Sequence, residues 1–103
     1  MNDAYDCLFT LALPDALEEE VLDHLSSTQW VRGFSVTRAE GFGAGTQLRS
    51  TMEQVRGRAR RHLVQILMRG EHVTPLVESL RDRFKSDEMA WWTAPVTGFG
   101  RLS

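Results

Sequence analysis

Residues Glu40 to His62 read EGFGAGTQLRSTMEQVRGRARRH. The stretch holds four of the chain's eight glycines and five of its arginines, and it sustains neither a period of 2 nor one of 3.6. Apolar periodicity resumes on both sides, and each side repeats one order: strand, helix, strand. Read as a loop, the stretch joins two similar halves. That reading decides the fold.

In the first half, Tyr5 to Leu13 (YDCLFTLAL) is a predicted strand. Tyr5, Cys7, Phe9, Leu11 and Leu13 line one face, and Leu8, Thr10 and Ala12 the other. Both faces are largely apolar, which predicts cover on both sides. Pro14-Asp15 opens a helix with Glu18, Glu19 and Glu20 near the positive end of its dipole. Leu17, Val21, Leu22 and Leu25 share a stripe, and Ser26-Ser27-Thr28 closes it. Trp30 to Arg38 is the second predicted strand, with Trp30, Arg32, Phe34 and Val36 on one face.

In the second half, His62 to Arg69 is a strand apolar on both faces, stopped by Gly70. Val73, Leu76, Val77, Leu80 and Phe84 recur at helical spacing, with Pro75 tolerable in a first turn. Lys85-Ser86-Asp87-Glu88 is a turn, its acids and Asp82 expected to be solvated. Met89 to Val96 is the last strand, with Pro95 where pairing stops. The order βαββαβ is the double split βαβ unit of α+β ferredoxin-like folds: a four-stranded antiparallel sheet with two helices on one face. Because strands one, three and four are apolar on both faces, the uncovered face calls for a partner. Another copy of the chain is the economical one.

The composition sets limits. The 103 residues make a single domain, 1–103, with little core to spare. At 42% hydrophobic, 25% charged and a net charge of −2, the chain has no global attraction for nucleic acid or membrane. Four arginines at Arg56, Arg58, Arg60 and Arg61 are too few for a nucleic-acid face. A lone cysteine, Cys7, excludes an internal disulfide and requires no oxidising compartment. The N-terminus lacks signal-peptide character, and no stretch approaches the ~20 apolar residues of a membrane span. The expected location is the cytoplasm.

A second strand running into Gly41-Phe42-Gly43 and then a long loop resembles the PII-like signalling proteins, where a glycine-aromatic-glycine step precedes the T-loop. Here the equivalent loop is 44–61. The chain is more closely similar to the PII-like family of unknown function often encoded beside heavy-metal efflux pumps. It shares that family's length, a tryptophan-containing last strand and a closing Gly98-Phe99-Gly100-Arg101 in the tail 97–103. The resemblance implies a cytoplasmic homotrimer with ligand clefts between subunits, acting as a regulatory or sensory protein. It implies a nucleotide-like or other small anionic ligand and a protein partner, such as a membrane transporter, reached through 44–61. The chain departs from nucleotide-binding PII proteins at Lys85–Glu88. That turn has no glycine and two acids, so ATP held in the PII manner is not expected.

The residues offer a candidate ligand site: Gly41, Phe42, Gly43, Arg58, Arg60, Gly98, Gly100 and Arg101. Gly41 and Gly43 allow positive φ and close approach to a ligand, or simply make the turn out of strand two. Arg58 and Arg60 project to one side as guanidinium forks for phosphate or carboxylate, or form a solvated basic loop. Arg101 lies on a glycine-flanked tail that a subunit boundary would bring to a neighbour's Gly41-Phe42-Gly43. Ser50-Thr51-Met52-Glu53 fits a capping box and allows a short helix within the loop. Cys7, His24, His62 and His72 show no metal-ligand spacing, so no metal site and no cofactor are expected. Nucleophile, P-loop and dinucleotide signatures are lacking, and the reading is not an enzyme. The alternatives are a metal-binding accessory protein of a heavy-metal resistance system and a ligand-free interaction module.

Overall fold

Alternation in the first predicted strand produces β1 (Cys7–Pro14), which buries Cys7, Phe9, Leu11 and Leu13 on one face. The computed structural model describes residues 5–41 and 59–103. After β1 come α1 (Glu18–Ser26), β2 (Ser35–Gly41), β3 (Ala59–Met68), α2 (Val73–Phe84) and β4 (Ala90–Pro95). A short 3-10 turn precedes each helix, Asp15–Leu17 before α1 and Gly70–His72 before α2. The two halves therefore repeat one plan.

The strands form one sheet in the order β2-β3-β1-β4, and each neighbouring pair is antiparallel. This is the expected α+β ferredoxin-like arrangement. In the register, Leu11 lies between Val64 and Trp91, while Thr10 lies between Gln65 and Trp92. Directly opposed residues share a face. One face thus carries Phe9, Leu11, Leu13, Val64, Ile66 and Met68, all buried beneath the helices. The stripe Val21 and Leu25 of α1 and Leu76, Val77 and Leu80 of α2 completes that core. His24 Nε2, 2.7 Å from Ser79 Oγ, ties α1 to α2.

The opposite face carries no helix. Leu8, Ala12, Leu63 and Leu67 are half-buried there, and Trp92 is 47% exposed. Trp91 faces the helix side and stacks on Phe9, with ring centroids 5.8 Å apart.

Two strand starts and the burial of one turn residue differ from expectation. β2 begins at Ser35 rather than Trp30, because its ladder with β3 stops at Ser35 opposite Gln65. Trp30, Val31 and Phe34 pack instead against the rim of the core. β3 begins at Ala59 rather than His62, since backbone pairing tolerates the polar side chains of Arg60 and Arg61 opposite Glu40 and Ala39. The end of the segment read as loop 44–61 is therefore strand. Glu88, expected to be solvated, is buried at 9% exposure. Among the described residues no helix is long and apolar enough to cross a membrane.

Candidate functional site

The chain beyond β4 continues antiparallel past the start of β1, where the Val96 amide donates to the Asp6 carbonyl at 3.1 Å. This places Phe99 edge-on against Tyr5, centroids 4.9 Å apart, with the Arg101 guanidinium 5.9 Å from the Phe99 ring centre. Arg32 and Phe34 close the other side, over Gln65 and Leu67 of β3. The result is an open cleft of about 420 Å³ on the helix-free side of the sheet. It offers two guanidiniums for a carboxylate or phosphate and aromatic rings for a planar group. A Cβ added at Gly98 or Gly100 meets nothing within 4 Å. Within one chain, neither glycine is needed for room.

A second cleft, of about 490 Å³, lies at the far end of the β2–β3 hairpin among Asp15, Arg38, Glu40, Arg60, Arg61 and His62. Pairing of Leu13 with His62 carries the imidazole to the end of β1, and the 3-10 turn there presents Asp15. His62 is 2% exposed. Its Nε2 lies 2.7 Å from Asp15 Oδ1, and its Nδ1 lies 3.3 Å from Glu18 Oε2. The hydrogen bond from His62 holds the Asp15 carboxyl below the usual carboxylate range. Partial desolvation opposes this, and the charges of Arg60 and Arg38, with that of His62 whenever its ring is protonated, add to the lowering. Arg61 is buried at 8% exposure, its Nη1 donating to the Arg60 carbonyl at 3.2 Å.

The structure divides the expected site residues. Phe42, Gly43 and Arg58 lie outside the described residues, as does the capping-box segment. Gly41 ends β2 and Arg60 lines the hairpin-end cleft, whereas Gly98, Gly100 and Arg101 belong to the tail. The length of β2 separates the two groups, about 20 Å at ~3.3 Å per residue. Among the described residues, Gly41 and the Gly98–Arg101 tail therefore lie at opposite ends of β2. Sequence reasoning missed Tyr5, Arg32 and Phe34 in the tail cleft, and Asp15 and Glu18 beside His62. Forty-seven residues separate Asp15 from His62, and no local spacing signals such a pair.

Other candidates resolve into structural roles. Burial, and then the Asp6 charge, push the Cys7 thiol upward, and the side chain sits in the core. His24 bonds Ser79 and meets the Phe84 ring edge-on, and His72 lies against Trp30. The Lys85–Glu88 turn is closed on itself: Lys85 takes the left-handed conformation at φ 47°, and the Glu88 amide donates to Ser86 Oγ at 3.1 Å. That amide is spent internally rather than offered to a phosphate. A groove of about 490 Å³ beside the turn is floored by Leu11, Val77 and Leu80 next to Trp91, and it carries Arg81 and Lys85 together with the acids Asp82 and Asp87.

Residues 4–103 match the family described as "Protein of unknown function (DUF3240)". The chain belongs to the DUF3240 family. A crystal structure of a DUF3240 protein from Shewanella baltica is similar over 97% of this chain and 99% of that one, with a TM-score of 0.77 and 20% identity. CPII, a nitrogen regulatory PII-like protein from Thiomonas intermedia solved with ADP, AMP and bicarbonate bound, is similar over 93% of this chain and 96% of its own. Its TM-score is 0.68 at 17% identity. CutA1 from Pyrococcus horikoshii is similar over 93% and 88% of the two chains, with a TM-score of 0.67 and 11% identity. The DUF3240 chain thus has the fold of the PII-like proteins. No curated protein matches its sequence.

Proposed function

We propose that the protein is a PII-like regulatory or sensor protein that binds a small anionic ligand and is not an enzyme. The observation that carries this reading is the tail cleft, where Arg32 and Arg101 line one opening with Tyr5, Phe34 and Phe99. A nucleotide-like anion needs this pairing of cationic forks with aromatic surface. The likeness to CPII, whose structure holds ADP, AMP and bicarbonate, points to the same ligand class.

In this reading three cytoplasmic copies associate through the helix-free faces, and the cleft is completed between neighbours. The second chain then supplies the Gly41 end of its hairpin to the first chain's tail. The ligand acts by favouring one state of the segment 44–61 over another, which requires different affinities for the two. That segment meets a protein partner, a metal-efflux pump or another transporter. The closed turn at Lys85–Glu88 favours a smaller anion over ATP held through its phosphates.

A thermal-shift screen of AMP, ADP, bicarbonate, cyclic nucleotides and transition metals on the purified protein tests the reading. A ligand present at 100 times its Kd stabilises by about 2.7 kcal/mol, enough for a rise in Tm of several degrees. A rise with a nucleotide or bicarbonate is expected. A flat response to every anion would sink the sensor reading.

A further inference from the structure

His62 is the most buried ionisable side chain among the described residues, at 2% exposure, and one of its atoms is unexplained by the fold. Nε2 is satisfied by Asp15 Oδ1 at 2.7 Å. Nδ1 is buried and makes no hydrogen bond among the described residues, although Glu18 Oε2 stands 3.3 Å away. With the Nε2 hydrogen directed at Asp15, the Nδ1 of a neutral ring carries a lone pair, and it faces a carboxylate. Two electron-rich atoms held at that distance call for a cation between them.

We propose that His62 Nδ1 and the Glu18 carboxylate are protein ligands of a divalent transition-metal ion, with Asp15 as the residue that orients the ring. The distances fit this chemistry. Two ligands bound to a tetrahedral zinc at about 2.1 Å each stand about 3.4 Å apart, close to the 3.3 Å between Glu18 Oε2 and His62 Nδ1. A metal-bound histidine commonly donates its other ring N–H to a carboxylate, and Asp15 holds that position. The ligand-type atoms of Asp15, Glu18 and His62 all lie within 4.8 Å of one another. Imidazole with carboxylate, and no thiolate, selects zinc, cobalt or nickel over the softer copper(I) and the harder magnesium or calcium. Water completes the coordination from the side of Glu18, whose side chain is 34% exposed. The site lies at the other end of β2 from the tail cleft and does not depend on it.

The competing occupant of Nδ1 is a proton, which would make His62 an imidazolium clamped between two carboxylates. Titration of the chelator-stripped, full-length protein with zinc, followed by calorimetry, separates the two. The metal site predicts saturable binding of one ion per chain. Glu18→Gln should weaken it at least about tenfold, and Asp15→Asn by about 10–100-fold, as for other orienting partners of metal-bound histidine. Cobalt(II) supplies a second readout: the visible bands of a tetrahedral site should appear in the wild-type protein and vanish in folded Glu18→Gln. Absence of stoichiometric zinc binding overturns the proposal. So does an unchanged zinc affinity or cobalt spectrum in folded Glu18→Gln.

Discussion

At the scale of single residues, Asp15 gives the clearest pH signature. Its carboxyl is lowered in the folded chain, chiefly by the hydrogen bond from His62. A depressed acid stabilises the fold above its unfolded value, near pH 4, and that contribution is lost as pH falls through the lower folded value. Urea unfolding between pH 5 and about 2 should therefore show an acid-limb loss that Asp15→Asn makes shallower; an equally steep limb in the variant contradicts the assignment. The side chain is 56% exposed, so the effect is modest. Cys7 makes a second test. Its upward-shifted thiol lies in the core, so it should resist alkylation at neutral pH until the protein unfolds. Rapid labelling of the native protein is the opposing result. Cys7 was legible in the sequence as a small buried hydrophobe, because its neighbours alternate. The His62 environment was not, because it forms only when β1 and β3 pair in one register.

At the scale of elements, the order βαββαβ and the antiparallel sheet follow from sequence because burial imposes periods of 2 and 3.6 on each segment. The starts of β2 and β3 were hidden. Trp30 and Phe34 look like strand residues but serve the rim of the core, and Arg60 and Arg61 look like loop residues but pair with β2. Apolar pattern reports burial; it does not report where backbone pairing begins. Phe9 on the central strand β1 is fully buried and stacks on Trp91. Phe9→Ala should cost about 3–5 kcal/mol in urea denaturation, a large share of the ~5–15 kcal/mol that holds an ordinary domain together. A loss below ~1 kcal/mol would mean that Phe9 is not a core anchor. At the end of α2, Lys85 adopts φ 47°, a conformation that suits glycine. Lys85→Gly should raise stability by about 0.5–1 kcal/mol, and a clear loss would show that the lysine side chain holds the turn.

At the scale of the whole molecule, the helix-free face is the surface on which the proposed trimer assembles. Leu8, Ala12, Leu63, Leu67 and Trp92 gather there from three strands, an apolar surface that water covers poorly. The proposed trimer covers it, and light scattering should give three times the chain mass. Trp92→Glu should yield smaller species with the sheet intact. A wild-type monomer at micromolar concentration contradicts the trimer. The apolar second face was legible in the sequence. The tail cleft was legible only at Arg101, because Tyr5, Arg32 and Phe34 reach it from segments whose meeting depends on the complete fold. The central claim is that this cleft holds an anion, and calorimetric titration of the wild-type and Arg101→Ala proteins with AMP, ADP and bicarbonate tests it most directly. The prediction is saturable binding of at least one of these by the wild type, lost in Arg101→Ala while light scattering shows an unchanged assembly. Binding by neither protein, or equal binding by both, would contradict it.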